Sequence, residues 1–283
     1  MNKTCLILIS LLIYALAAAA NEEHQAGTDR PSASDLMQQV ESKYKSMKSY
    51  TSSGEVVIDL PVGDGKRRQQ QRLAFLIRMT RAGRFLIQWD QTLPDGRTNR
   101  SAMWGDINNE KVMVTPLDGG KPVEVDRYVS FAMMGATSVG VAQTIPPIFF
   151  DLPGQPPMSS WLIEPTYEKE ETIEGDDCYV VSGWYGPLKR VYWVSKKTLL
   201  IRQQRQVFGD GTQPPEMTDE WINGLLEASG PPAISVSIAE YREAFNAIRE
   251  DKSGQKGTIT ETHSNIQVDI EINDDQLEPE PKE

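Results

Sequence analysis

The chain has 283 residues, of which 24% are charged and 39% hydrophobic, and it carries a formal net charge of −11 at pH 7. That length fits one large domain or two small ones and is enough to build a core without disulfide staples. The acidic balance argues against nucleic acid or an anionic membrane as the main partner, since both draw on clustered Lys and Arg, and the isolated run Lys66-Arg67-Arg68 reads as a solvated strand end.

Lys3, the apolar run from Leu6 to Ile13 and Ala18-Ala19-Ala20 have the order of a secretory signal cleaved near Ala20, which predicts a periplasmic or secreted protein. Cys5 precedes the apolar run, so it is not the lipid-modified cysteine of a bacterial lipoprotein and leaves with the signal. Cys178 is then the one remaining thiol, and no internal disulfide forms. Residues 21–33 are polar and read as a flexible lead-in. From Ser34, a plausible N-cap, Leu36, Val40, Tyr44 and Met47 recur at spacings of a buried helical stripe.

The period then changes to two. Leu73, Phe75, Ile77 and Met79 share one face, Arg72, Arg78 and Thr80 the other, and after the turn Arg81-Ala82-Gly83 the residues Phe85, Ile87 and Trp89 again share a face. Shorter strands follow at 101–104 and 111–115. A second meander runs through 167–174, 178–185, 188–194 and 199–208, and a last strand begins at Gly257. Residues 209–256 interrupt the rhythm with two short helical patterns, one capped at Thr218 and one with Ile238, Tyr241, Phe245 and Ile248 on a face. The acidic tail, 273–283, reads as disordered.

Motifs for catalysis are scarce. His24 and His263 are the only histidines, too few to assemble a zinc cluster or a Ser-His-Asp arrangement from sequence, and His263 beside Glu261 reads as a surface pair on a strand. Cys178 lies in a strand and reads as a packed thiol. Gly135 and Gly140 have the spacing of a phosphate-binding loop, but Val141 and Ala142 stand where Lys and Ser or Thr are required. No catalytic residue, metal ligand or cofactor site is therefore assigned.

Residues 131–150 contain no charged side chain. Gln143, Thr144 and Pro146-Pro147 argue against a membrane span. Two short helices, 127–134 and 138–144, stopped by the prolines, fit the segment best, laid over the apolar face of the meanders. Tight packing makes them core; loose packing makes them the lid of a greasy cavity, which methionine suits.

The succession "YKSMKSYTSSGEVV", "LAFLIRMTRAGRFLIQW", "MMGATSVGVAQTIPPIFF", "CYVVSGWYGPLKRVYWVSKKTLLIRQQRQ" and "TITETHSNIQVDIEI" resembles the LolA-like superfamily of periplasmic lipoprotein carriers, their acceptors and related sensor domains. The resemblance covers most of 34–272 and implies an α+β fold, a curved antiparallel sheet forming an open half-barrel, with helices over its concave apolar face. It implies binding of lipoprotein acyl chains or lipid without catalysis. On that template the wall is Phe75, Ile77, Trp89, Met103 and Tyr192 or Trp193, and the lid is Phe131, Met133, Met134, Val141, Ile145, Ile148 and Phe149. The insertion at 209–256 departs from the pattern and is expected either to cover the cavity further or to dock an envelope protein. A sensor or interaction module with the same fold is the alternative.

Overall fold

Alternation of apolar and polar side chains makes Arg67–Thr80 (β2) and Arg84–Thr92 (β3) adjacent antiparallel strands in a computed structural model of the chain. The structure describes residues 30–62, 67–92, 96–115, 120–127, 130–131, 135, 137–152, 158, 162–185, 188–209, 212, 215, 218–219, 222, 239, 243 and 256–279. The expected signal, most of the lead-in and most of the 209–256 insertion lie outside them. Within the insertion, Asp219 and Ile222 are helical, and the Ile222 amide donates to the Thr218 carbonyl at 3.1 Å.

Eleven strands form one antiparallel sheet: β1 (Ser49–Val62), β2, β3, β4 (Thr98–Asp106), β5 (Lys111–Val114), β6 (Val123–Asp126), β7 (Ile163–Ile173), β8 (Asp176–Tyr185), β9 (Leu188–Ser195), β10 (Ile201–Phe208) and β11 (Gly257–Val268). Their order is β6-β5-β4-β3-β2-β1-β11-β10-β9-β8-β7. Two meanders are thus joined edge to edge by β1 and β11, and the sheet stays open, with β6 and β7 at its ends. The short edge strand β6 carries no strong strand pattern and is absent from the sequence reading.

Helix α1 (Ala33–Ser46) lies on the inner face of the sheet, and Leu36, Val40 and Tyr44 of its stripe are fully buried, with Met47 just beyond it. The chain leaving edge β6 crosses this face and reaches edge β7, and helix α2 (Val141–Phe150) is part of the crossing. Residues 131–150 therefore connect the two edges of an open sheet. The expected pair of short helices needs correction. Arg127, Ser130, Phe131, Gly135 and Thr137 are helical, but the second helix starts at Val141, after Val139 and Gly140 with positive φ, and runs through both prolines to Phe150.

The prolines fail to stop α2 because of burial. Each costs about 3 kcal/mol inside a helix, whereas Val141, Ile145, Ile148 and Phe149 are all buried, at about 1.5–3 kcal/mol each. Asp151 ends the helix in the left-handed region, where the chain bonds back to the Pro147 carbonyl.

The tail expectation is also overturned at its start. Asp274–Leu277 forms a 3-10 helix closed by a capping box on Asn273, and it packs against β2 and β3. Arg78 donates to the Gln276 carbonyl at 2.8 Å, Arg84 pairs with Asp274, and Leu277 is buried. Leu86 and Ala102, on the sheet face opposite the helices, are buried as well, so a small apolar patch there is what orders the tail.

Candidate functional site

From β1 through β5 the inner face is apolar: Val56, Leu73, Phe75, Ile77, Met79, Phe85, Ile87, Trp89 and Met103 are all buried in one cluster. Across the seam it becomes polar. Register places Glu261 of β11 opposite Gln204 of β10, and Gln204 opposite Tyr192 of β9. His263 stands opposite Gly54 of β1, whose other neighbour is Phe75. The His263 and Phe75 rings meet edge to face with centroids 5.1 Å apart.

Glu261 and His263 are 1% and 0% exposed, which overturns the expected surface pair. The Thr-Glu-Thr-His alternation reads as a wet strand, but β11 is central in the sheet, and its inner face is core. One Glu261 oxygen accepts from the Thr144 hydroxyl of α2 at 2.9 Å and from the Gln204 amide at 2.5 Å. The other lies 2.9 Å from Nε2 of His263, without the alignment of a hydrogen bond. Thr144 is in the first turn of α2, so the carboxylate also meets the positive end of a helix. These contacts offset the burial of a charge that would otherwise be prohibitive.

The Ser52 and Tyr50 hydroxyls lie 3.3 and 3.4 Å from Nδ1 of His263. Nε2 is turned toward the carboxylate and Nδ1 toward the two hydroxyls. Ser52, His263 and Glu261 thus stand in the order of nucleophile, base and acid. This constellation is not legible in the sequence, because Ser52 is one hydroxyl in the run Tyr50-Thr51-Ser52-Ser53, and its partners lie at the far end of the chain. Ser52 is 1% exposed and shares Nδ1 with Tyr50, so the geometry is that of a core network with no face for a substrate. Burial pushes the hydroxyls of Tyr44 and Tyr50 well above the usual tyrosine range and keeps both neutral.

A second polar clasp holds the other end of α2. Arg81 donates to the carbonyl of Phe149, to Tyr44 O at 2.7 Å and to Met47 O at 3.0 Å, and its guanidinium lies 4.1 Å from the Phe149 ring centroid. One cation thereby serves the C-terminal ends of both helices. Lys45 adds ion pairs to Asp151 and Glu41 at 2.6 and 2.7 Å, and both raise its pKa. Arg81→Ala is expected to speed amide hydrogen exchange across α2 by about tenfold while β2 exchanges as before. Arg81→Lys restores only part of the protection, lacking the planar fork. Unchanged exchange in α2 would show that apolar packing alone holds the helix.

Of the wall residues expected from sequence, Phe75, Ile77, Trp89, Met103 and Tyr192 come together on the inner face with Phe131, Val141, Ile145, Ile148 and Phe149. Trp193 does not. As the strand neighbour of Tyr192 it points to the opposite face, packs with Cys178 and Val180, and donates to Glu171 at 2.5 Å. Met133 and Met134 lie outside the described residues. Burial, then Asp176, pushes the Cys178 thiol up to about 11, so it is protonated at neutral pH. Among the described residues no group of three or more His, Cys, Asp or Glu is placed to hold a metal ion, and no helix is long and apolar enough to cross a membrane.

No family model matches the chain. No curated protein matches it either. Among solved structures it is similar to LprF from Mycobacterium bovis (12% identity, TM-score 0.37, covering 87% of this chain and 97% of that one). It is also similar to the lipoprotein LppX from Mycobacterium tuberculosis (9%, 0.41, 85% and 97%). A third is a putative outer membrane lipoprotein-sorting protein domain from Vibrio parahaemolyticus (8%, 0.34, 86% and 95%). Likeness at this level bears on neither ligand nor activity. The architecture itself, an open antiparallel sheet with helices laid over one apolar face, is the one that the LolA-like resemblance of the sequence implies.

Proposed function

We propose that the chain is a non-enzymatic periplasmic carrier or chaperone, which holds an acyl chain of a lipid or lipidated protein against the inner face beneath residues 131–150. The observation that carries this reading is the way α2 is held. Its two ends are clasped by specific polar contacts, Thr144 to Glu261 and Phe149 to Arg81, while the side chains of Ile145 and Ile148 between them make only non-directional apolar contact with the core. Pro146 and Pro147 interrupt its own hydrogen-bond ladder. Such a helix parts from the sheet when its clasps release, and an acyl chain replaces its contacts in kind. A chain of about fourteen carbons, at about 0.8 kcal/mol per methylene, offers roughly 11 kcal/mol before ordering costs.

The test is native mass spectrometry of the exported protein, purified without detergent, followed by uptake of a fluorescent acyl probe. A co-purifying lipid that the probe displaces is the expected result. A second reading, an envelope sensor or interaction module, is favoured by the near-complete burial of the expected wall residues under the chain's own side chains. An apo mass and no probe uptake would select it, and the 209–256 insertion would then be the segment to test for a docked envelope protein.

A further inference from the structure

Arg190 is a cation on the inner face whose ring and hydrogen-bond partners among the described residues are both neutral, while the Glu261 carboxylate acts on it from beyond ion-pair distance. Its guanidinium lies 4.1 Å from the centroid of the Tyr185 ring, and Nη1 reaches the Tyr192 hydroxyl over a long 3.4 Å. Nε is buried and has no hydrogen-bond partner. Three other arginines of the sheet are paired with carboxylates: Arg100 grips Asp90 with two bonds of 2.9 and 3.0 Å, Arg72 pairs with Glu55, and Arg68 pairs with Asp59. The carboxylate that shares the inner face, Glu261, is already engaged by Thr144 and Gln204 and flanked by His263. A guanidinium N–H withdrawn from water and left without an acceptor is unfavourable in a protein that has acidic side chains in excess, unless an anion from outside completes it.

The surroundings of Arg190 fit such an anion. Register sets it between Gly183 of β8, over which Leu162 packs, and Gln206 of β10. The Gln206 amide nitrogen lies under the start of α2, 3.5 Å from where a Cβ on Gly140 would be. A guanidinium and a carboxamide thus stand side by side where the apolar face meets the beginning of the α2 cover. We infer that Arg190, with Gln206 beside it, seats the anionic head, carboxylate or phosphate, of an acyl ligand whose chain runs along the apolar inner face. This rests on the carrier reading and adds to it a preference for acidic amphiphiles.

The test compares the exported protein with its Arg190→Met and Arg190→Lys variants in titrations with a dansyl-labelled fatty acid and with the methyl ester of the same probe. The wild type is expected to bind the acid at least about tenfold more tightly than the ester, the size of effect that a charge-assisted hydrogen bond gives. Arg190→Met abolishes that preference, so that acid and ester bind it equally. Arg190→Lys keeps the charge and part of the preference, and serves if the methionine variant does not fold. Competition by phosphatidate but not by inorganic phosphate at equal concentration supports a lipid source for the anion; competition by inorganic phosphate overturns it in favour of a free ion. Equal affinity of the wild type for acid and ester overturns the Arg190 inference and leaves the carrier reading standing. Uptake of neither probe overturns both.

Discussion

Glu261→Ala is expected to lower the melting temperature by roughly 10 °C. The substitution removes the buried acceptor shared by the Thr144 hydroxyl and the Gln204 amide, leaving Gln204 only its bond to Thr144 Oγ1 and Thr144 only its bond to the Gly140 carbonyl. Breaking a buried charged network of this kind costs about 3 kcal/mol, and a domain of this size loses about 2–4 °C per kcal/mol. Glu261→Gln keeps one acceptor oxygen for Thr144 but turns an amide donor toward either Gln204 or His263, so its loss is smaller. The ordering wild type, then Gln, then Ala is the diagnostic. A melting temperature that stays put in the alanine variant would return Glu261 and His263 to the solvent and remove the polar clasp from α2.

Gly54→Ala is expected to destabilise by a similar amount, for the opposite reason. A Cβ at this position would lie 2.0 Å from the Thr262 carbonyl oxygen and 2.4 Å from Cζ of Phe75. The first contact is backbone of the neighbouring strand, which cannot yield without opening the β1–β11 ladder. The second is the ring that packs edge-on against His263. Overpacking of this kind costs about 3 kcal/mol at its upper range. Denaturant unfolding measures it, and Gly183→Ala is a useful comparison, since the contacts met there are longer, Leu162 Cβ at 2.7 Å and the Ile163 carbonyl oxygen at 3.1 Å. Equal, small effects at both glycines would show that the seam between the meanders is loosely packed.

The strands were legible wherever one face is dry and the other wet, because a period of two then records the two faces directly: Leu73, Phe75, Ile77 and Met79 are all buried where alternation puts them. The same rule misleads on β11, whose core-facing residues include Glu261 and His263, so polarity no longer marks the outside. It also leaves Tyr192 and Trp193 undecided, since both flanking sets are hydrophobic, and only the placement of Tyr192 in the inner cluster separates them. The continuation of α2 past Pro146 was illegible for another reason. Local chemistry forbids it, and tertiary burial of Val141, Ile145, Ile148 and Phe149 permits it. Ser52 and Arg190 carry no signal at all in isolation; their meaning lies in which strands stand beside them.

The placement of β1 next to β11 has a consequence for how the molecule comes into being. The strands β1 to β6 pair in sequence order, as do β7 to β10, so each meander closes short loops and forms quickly. The Tyr50 to Val268 register, by contrast, joins the two ends of the ordered chain. Until residues 257–268 are in place, β1 keeps a bare edge, His263 and Glu261 are missing, and Thr144 in the first turn of α2 lacks its carboxylate acceptor. Any product truncated before Gly257 is therefore a species with two further exposed strand edges, on β1 and β10, and a loosened apolar segment, a combination prone to self-association.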